Sequence, residues 1–236
     1  TEAGYAGRRR ARVDASRHLS YFEGHIEQGP RLEVEAQKIG IVTAIVGIRR
    51  SRITCTGQAD HAGTTPMNLR KDAGATLIRL SANLLERFEQ ARSELSVWNL
   101  GHIAFEPGAG NVVPSSAQVL VEFRDSKPEV LDRLQDEIDA AVAEFHGQQS
   151  VTAEVEHLLS IDPADMAASL VDTIERATQN RSVPALRMPS GAGHDAMVLS
   201  RYVPTSMLFI PSIGGRSHDV AENTNEEDIC LGADIL

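Results

Sequence analysis

The sequence predicts an α/β protein in which a ferredoxin-like βαββαβ segment is inserted into a second α/β body. In the middle of the chain, extended and helical stretches follow one another as strand–helix–strand–strand–helix–strand. In the flanking sequence, strands lead into glycine loops and then helices, which is the layout of a sheet with its site at the strand ends. We therefore expect domain boundaries at 1–47, 48–159 and 160–236, with the two outer segments forming one body.

The middle segment begins with extended structure, predicted over residues 32–52. This stretch contains the β-branched run Ile39–Ile48, and the residues from Arg49 to Gly57 alternate between polar and apolar, as in a half-buried strand. Between Lys71 and Ser93, apolar residues recur at helical spacing and proline is absent, which predicts an amphipathic helix.

Two further strands, a helix and a last strand complete the middle segment. The strands are predicted at Ser96–Phe105 and Ala117–Arg124. The helix begins near Pro128, a favourable first-turn residue, and ends around Gly147. Residues 151–157 alternate again as a strand. Such a sheet has its helices on one face, and its uncovered edge favours pairing with a second copy.

The C-terminal flank supplies elements of the other body. Helices are predicted at Asp162–Asn180, His194–Leu199 and Asn225–Ile235. A glycine turn over residues 190–193 precedes the short helix, and the buried strand Ser206–Ile210 leads to the loop that carries His218.

Composition excludes some classes of function. A net charge of −10 over 236 residues argues against nucleic acid as a partner, because phosphate binding needs a basic face. The run Arg8–Arg12 is a local exception that we interpret as solvated surface. No apolar run is long enough to span a bilayer, so no membrane partner is expected. The two cysteines, Cys55 and Cys230, do not suggest a disulfide framework, which favours a cytoplasmic location.

Four motifs occur in order along the chain, around His25, His61, His194 and His218. They read YFEGHIEQGP, DHAGTTPM, SGAGHDA and GRSH. Together they resemble the amidase/hydantoinase/carbamoylase family of metal-dependent amidohydrolases, which cleave N-carbamoyl amino acids, ureidopropionate and allantoate. The resemblance implies a two-metal, aminopeptidase-like catalytic domain with an inserted domain that forms a lid and a homodimer contact.

The resemblance implies that His25 and His218 are metal ligands, one on each of two divalent ions. Zinc suits such ligands, and manganese, cobalt or nickel would also be accepted. Taken alone, a histidine is more often a hydrogen-bonded structural residue, and that alternative stays open. His61 is expected to donate a hydrogen bond to the ureido oxygen in the partner subunit's site. The alternative is that His61 organises the loop of residues 62–66.

The resemblance implies a clamp for the substrate carboxylate at Asn111 and Arg124, and arginine suits this role because it binds carboxylates through a planar two-pronged fork. The alternative for Arg124 is a surface ion pair with Asp125. By the same resemblance, Gln28 contacts substrate, and Gly191 and Gly193 line the site with backbone groups.

Family members are longer, and their N-terminal part carries a metal-binding His, a bridging Asp and a Glu-Glu pair that includes the general base. None of Glu2, Asp14, His18 and Glu23 lies in a matching motif. We therefore interpret this chain as the C-terminal part of a longer enzyme that binds metal weakly or not at all by itself. The expected function of the full-length enzyme is hydrolysis of the C–N bond of a carbamoyl or ureido group. The alternative is an inactive or non-enzymatic dimeric module.

Overall fold

A computed structural model describes residue 7 and residues 13–236, and the basic run Arg8–Arg12 lies outside that part of the chain. The chain divides into two compact units. The first unit comprises Thr1–Ile45 with Asp165–Leu236, and the second comprises Val46–Ala164. Helices and sheets are mixed in both units, so the predicted α/β class is confirmed.

The elements of the described residues are as follows. The strands are β1 (Tyr21–Ile26), β2 (Ile39–Ile45), β3 (Gly47–Thr56), β4 (Val97–Glu106), β5 (Ser116–Asp125), β6 (Thr152–Ile161), β7 (Ala164–Asp165), β8 (Ala185–Ser190) and β9 (Thr205–Ile210). The helices are α1 (Arg31–Val34), α2 (Ala73–Ala91), α3 (Pro128–Phe145), α4 (Ala168–Asn180), α5 (Asp195–Leu199) and α6 (Glu226–Ile235).

The sheet of the first unit has the order β1-β9-β2-β7, and β8 pairs with β2. β1 runs parallel to β9 and β2 runs parallel to β8, whereas β2 and β9 are antiparallel. Every residue of β9 is buried, and its last four residues are apolar, as expected of a strand covered on both faces. The β1–β9 register places His25 beside Phe209, so the site residues on β1 are fixed by a central strand.

The second unit is a four-stranded antiparallel sheet in the order β4-β5-β3-β6, with α2 and α3 packed on one face. This is the predicted ferredoxin-like topology. Residues of β5 alternate, so that Val119, Val121 and Phe123 are buried against the helices. Phe123 meets Phe88 of α2 edge to face, with ring centroids 5.5 Å apart.

Three local predictions need correction. Residues 31–34 form a helical turn instead of extended structure, because the Glu27 carboxylate accepts the backbone N–H groups of Arg31 and Leu32. β1 was not anticipated as a strand. The helix expected from Asp162 begins at Ala168, because the N–H groups of Met166 and Ala167 donate to backbone carbonyls of the first unit's strands. No helix in the described part of the chain is long and apolar enough to cross a membrane.

Candidate active site

His25 lies on the edge of a cavity of about 550 Å³ in the first unit. Its Nδ1 is 2.8 Å from the carbonyl oxygen of Ile26. A carbonyl oxygen can only accept, so Nδ1 carries the proton and Nε2 keeps its lone pair. Metal-binding histidines are oriented in this way, with one ring nitrogen donating to a backbone carbonyl. The geometry of His25 therefore suits a metal ligand that binds through Nε2.

Glu23 and His194 share this cavity with His25. The ring of His194 lies edge-on to the ring of His25, with centroids 4.7 Å apart. Glu23 Oε1 lies 3.8 Å from His194 Nδ1, and Glu23 Oε2 accepts the backbone N–H of Ala196 at the start of α5. Burial, followed by the nearby His25, lowers the pKa of His194 to about 4, so the imidazole is neutral at pH 7.

From the sequence, no role was assigned to the side chains of Glu23 and His194. One signal could have found Glu23: residues two apart on a strand face the same side, so Glu23 and His25 had to point together once β1 was known to be a strand. His194 is 1% exposed and its Nε2 is 2.7 Å from Ser190 Oγ. The cavity lining therefore includes His194 in contact with both the Glu23 carboxylate and the His25 ring.

Gln28 and His218 both have positive φ angles, of 59° and 56°. Residues other than glycine in this conformation are strained by about 1–3 kcal/mol and are concentrated at functional sites. The Gln28 amide donates to Ser217 Oγ at 3.0 Å, next to His218 in the chain. Glu222 Oε2 accepts the backbone N–H of His218 at 3.2 Å. The structure thus brings the predicted substrate residue Gln28 next to the loop that carries His218.

The glycine loop after β8 is held by Ser190, whose hydroxyl contacts both backbone groups of Ala192 at about 3 Å. A side-chain carbon at Gly191 or Gly193 would meet no atom within 4 Å, and neither residue has a positive φ. Packing within the chain therefore does not require glycine at either position.

His61 and Asn111 lie side by side in the second unit. The backbone N–H of Ala62 donates to the Asn111 carbonyl at 2.9 Å, and His61 forms a β-bridge with Val112. His61 Nδ1 accepts the N–H groups of Gly63 and Thr64 at 3.0 and 3.2 Å. The ring therefore organises its loop, as the alternative for His61 proposed. Because Nδ1 accepts, the proton of the neutral ring is on Nε2, which makes His61 a hydrogen-bond donor at its exposed end.

Arg124 lies at the other end of β5 from Asn111. Its Nε and Nη2 donate to Glu122 Oε1 at 3.0 and 2.7 Å. Asp125 is fully buried and accepts from Ser93, Ser96 and Lys127, so the alternative pairing of Arg124 with Asp125 is wrong. Ser116 and Arg124 are separated along β5 by roughly 26 Å at about 3.3 Å per residue. Within one chain, the structure does not bring Asn111 and Arg124 together.

Comparison with known proteins decides the family. Residues 3–236 match the model of the peptidase family M20/M25/M40. The chain belongs to this family. Its M20 fold is shared with a crystal structure of a hydantoinase/carbamoylase family amidase from Burkholderia phymatum, with 39% identity, a TM-score of 0.90, and coverage of 99% of this chain and 57% of that one. The resemblance predicted from the four motifs is confirmed.

Curated M20 relatives have related names. An N-carbamoyl-L-amino-acid amidohydrolase from Paenarthrobacter aurescens is 37% identical over 217 residues, which is 92% of this chain and 52% of the relative. An allantoate amidohydrolase from Bacillus subtilis is 35% identical over the same shares of the two chains. The chain therefore spans about half the length of the curated relatives it matches.

The M20 family is generally metal-dependent, and the donors of the first unit fit a metal in part. His25 presents Nε2, and His218 is held in a strained conformation on an exposed loop. Among residue 7 and residues 13–236, however, no group of three or more His, Cys, Asp and Glu side chains is arranged to hold a metal ion.

Proposed function

We propose that the complete protein hydrolyses the C–N bond of a carbamoyl or ureido group on an amino-acid-like carboxylic acid. One observation carries the proposal: in an M20 chain, His25 lines the cavity and holds its proton on Nδ1, so that Nε2 keeps the lone pair a metal ligand needs. The names of the relatives, which act on N-carbamoyl amino acids and allantoate, indicate the substrate class. With an N-carbamoyl amino acid and water, the products are the amino acid, ammonia and carbon dioxide.

In this proposal His25 and His218 each hold one of two divalent ions, zinc or manganese, cobalt or nickel. Metal held by these residues would supply an activated water and would polarise the substrate carbonyl. In this proposal the complete protein supplies the remaining ligands and the general base. His25 is kept in the correct tautomer by Ile26, and the Gln28–Ser217 hydrogen bond keeps the His218 loop next to the substrate residue Gln28.

The second unit binds the substrate as a lid. His61 donates through Nε2 to the ureido oxygen as negative charge develops there, and a fixed donor at that point stabilises the transition state. Asn111 lies beside His61, because the loop that carries Asn111 is hydrogen-bonded to the loop that follows His61. From this position Asn111 contacts the substrate next to His61. Arg124 binds the carboxylate, and the open loop at Gly191 and Gly193 contributes backbone groups.

The proposed substrate site is shared between two copies of the chain. His61 and Asn111 lie at one end of the second unit's sheet and Arg124 lies near the other, a separation far larger than a ureido acid. One copy therefore supplies His61 and Asn111 and the other supplies Arg124. Exposed apolar side chains on α2 and the edge strand β4 support a dimer contact through this unit; they are Ile78, Leu85, Ile103 and Phe105.

The test is an assay of the complete, metal-loaded protein on an N-carbamoyl-L-amino acid and on allantoate, with ammonia release as the measurement. Turnover of either substrate is expected. His25→Ala should lose bound metal and activity together. Turnover that is unaffected by His25→Ala, or no turnover of any carbamoyl or ureido acid, would overturn the proposal.

The absence of a complete metal-holding group among the described residues favours a second outcome for the 236-residue chain by itself. We expect this purified chain to show no carbamoylase activity and to act only as a dimeric module. Incubation with an N-carbamoyl amino acid and added Mn²⁺ or Zn²⁺ tests this expectation. Measurable turnover would show that the chain needs no further ligand or base.

A further inference from the structure

Three charged side chains form a cluster on the open face of the second unit, opposite the helices. Glu122 on β5 accepts from two arginines, one on each of its carboxylate oxygens. Arg124 donates to Oε1 through Nε and Nη2, at 3.0 and 2.7 Å. Arg50, directly across the ladder on β3, donates to Oε2 through Nε at 2.9 Å and also through Nη2. Glu122 therefore bridges Arg50 and Arg124, and these three residues are called the arginine cluster.

Stability of the fold does not explain this arrangement. The core lies on the other face of the sheet, where Val121 and Phe123 are buried. The side chains of Arg50, Glu122 and Arg124 are 41%, 21% and 31% exposed, and ion pairs with this exposure contribute little to stability. Burial raises the pKa of Glu122, but the hydrogen bonds from Arg124 and Arg50 together outweigh this effect. The pKa is therefore lowered from its ordinary value, and the carboxylate is charged at neutral pH.

The charges of the cluster are unequal. Two guanidinium groups face one carboxylate, which leaves one net positive charge. If Arg124 and Glu122 were alone, they would form a neutral pair and would attract a substrate carboxylate weakly. Arg50 gives the cluster its net positive charge. It is linked to Arg124 through Glu122, which accepts hydrogen bonds from both arginines.

We propose that Glu122 and Arg50 are positioning residues for Arg124, and this proposal rests on the function proposed above. Glu122 fixes the Nε side of the Arg124 guanidinium, so that the plane of the fork is set before the substrate arrives. Arg50 offsets the charge of Glu122, so that the fixed fork still carries a net positive charge toward the carboxylate. The cluster combines orientation with attraction, which a single Arg–Glu pair cannot do.

Arg52 provides a matched control on the same face of the same strand. It pairs with Glu156 of β6 at 2.7 Å, one charge against one, and its side chain is 42% exposed. This pair has no surplus charge, and Arg52 has no hydrogen bond to Glu122 or Arg124 among the described residues. Arg52→Gln therefore removes a similar ion pair without touching the cluster.

The experiment compares Arg50→Gln, Glu122→Gln, the double variant and Arg52→Gln in the complete, metal-loaded enzyme, with KM and kcat measured against ionic strength. Arg50→Gln leaves the cluster neutral and should raise KM on the order of tenfold with kcat nearly unchanged. The dependence of KM on salt should weaken in this variant, because less charge remains to be screened. Arg52→Gln should match the parent.

Glu122→Gln leaves two positive charges but no fixed fork, so kcat should fall while KM does not rise. The double variant has one net positive charge again, and its KM should return toward the parent value although kcat stays low. Arg50→Lys keeps the charge and should also keep KM near the parent value. A role in folding alone cannot give this pattern, because the double variant would then be at least as impaired as either single variant.

An unchanged KM in Arg50→Gln, or a double variant with a KM no better than that of Arg50→Gln, overturns the inference. Far-UV circular dichroism of each variant identifies any that fail to fold, and Arg50→Lys then carries the test. Failure of the proposed function looks different. In that case the parent enzyme does not turn over carbamoyl or ureido acids at all, or Arg124→Ala has no effect on turnover.

Discussion

The side chain of Arg124 lies half-buried on the sheet face of the second unit that is opposite the helices. Its proposed role depends on the shape of the guanidinium as well as on its charge. If Arg124 grips the substrate carboxylate with two parallel hydrogen bonds, Arg124→Lys should be nearly as damaging as Arg124→Ala. Loss of such a charge-assisted pair costs roughly 2–5 kcal/mol, which corresponds to a fall of about thirtyfold to several thousandfold in kcat/KM. Steady-state kinetics of the complete enzyme measure this fall.

His218→Ala is the contrasting control for Arg124. The histidine is proposed as a ligand, so the variant should lose bound metal and activity together, whereas both Arg124 variants should keep the metal content of the parent. Near-normal kcat/KM in Arg124→Lys would show that the clamp assignment is wrong. Arg124 would then be explained as a structural residue that forms an ion pair with Glu122.

The two thiols should react very differently in the folded chain. Burial raises the pKa of Cys55 to about 11, and this residue is fully buried, whereas Cys230 is exposed. The thiolate is the reactive form, so raising the pH to about 9 should still leave Cys55 unreactive. A chromogenic disulfide reagent should titrate one thiol per native chain and both in denaturant, and Cys230→Ser should abolish the native reaction. Two fast native thiols would contradict the burial of Cys55.

The motifs led to the proposals for His25, Gln28, His61 and His218, and the resemblance added Arg124, which lies outside the four motifs. Glu23 and His194 were not assigned because their contact arises from pairing between β1 and β9 and from the packing of α5, which lie far apart in sequence. The partner of Arg124 was also mistaken. A neighbour in sequence, Asp125, points to the opposite face of the strand, while Glu122 two residues earlier shares the face of Arg124.

Asp72 begins helix α2 and caps it, because its carboxylate accepts the backbone N–H of Ala75 at 2.9 Å. Asp72→Ala should lower the free energy of unfolding by about 1 kcal/mol, whereas Asp72→Asn keeps an acceptor and should be nearly neutral. Trp98 is the only tryptophan of the sequence and contacts Phe88 of α2, so its fluorescence in a urea titration follows this unit. Equal stability of the alanine and asparagine variants would show that the cap is unimportant.

Long amphipathic elements were predictable from sequence, and short or strand-edge elements were not. The ends of α2 and α3 lie within two residues of their predicted positions, because each helix buries one apolar face and has a clear boundary at Asp72 or Pro128. The four-residue helix α1 depends on the Glu27 carboxylate instead of on periodicity, and β7 depends on pairing with β2. Such contacts are set by the tertiary fold, which local sequence does not encode.

At the level of the whole molecule, the second unit is predicted to hold two copies together. Sedimentation equilibrium of the chain at micromolar concentration should show a homodimer. Ile103→Lys places a charge on the exposed edge strand β4 and should shift the chain toward monomer. Val34→Lys, at an exposed position on α1 of the first unit, is the control and should remain dimeric. A monomeric parent chain would contradict the proposed contact.

The sharing of one substrate site between two copies is tested most directly by mixing two inactive variants of the complete enzyme. One carries His61→Ala and the other carries Arg124→Ala, and the two are dissociated and reassociated together. Random pairing makes half of the dimers mixed, and each mixed dimer has one site with both residues intact, so about a quarter of the parent activity should return. Activity that does not rise above the mean of the two separate variants would show that His61 and Arg124 do not act across the dimer.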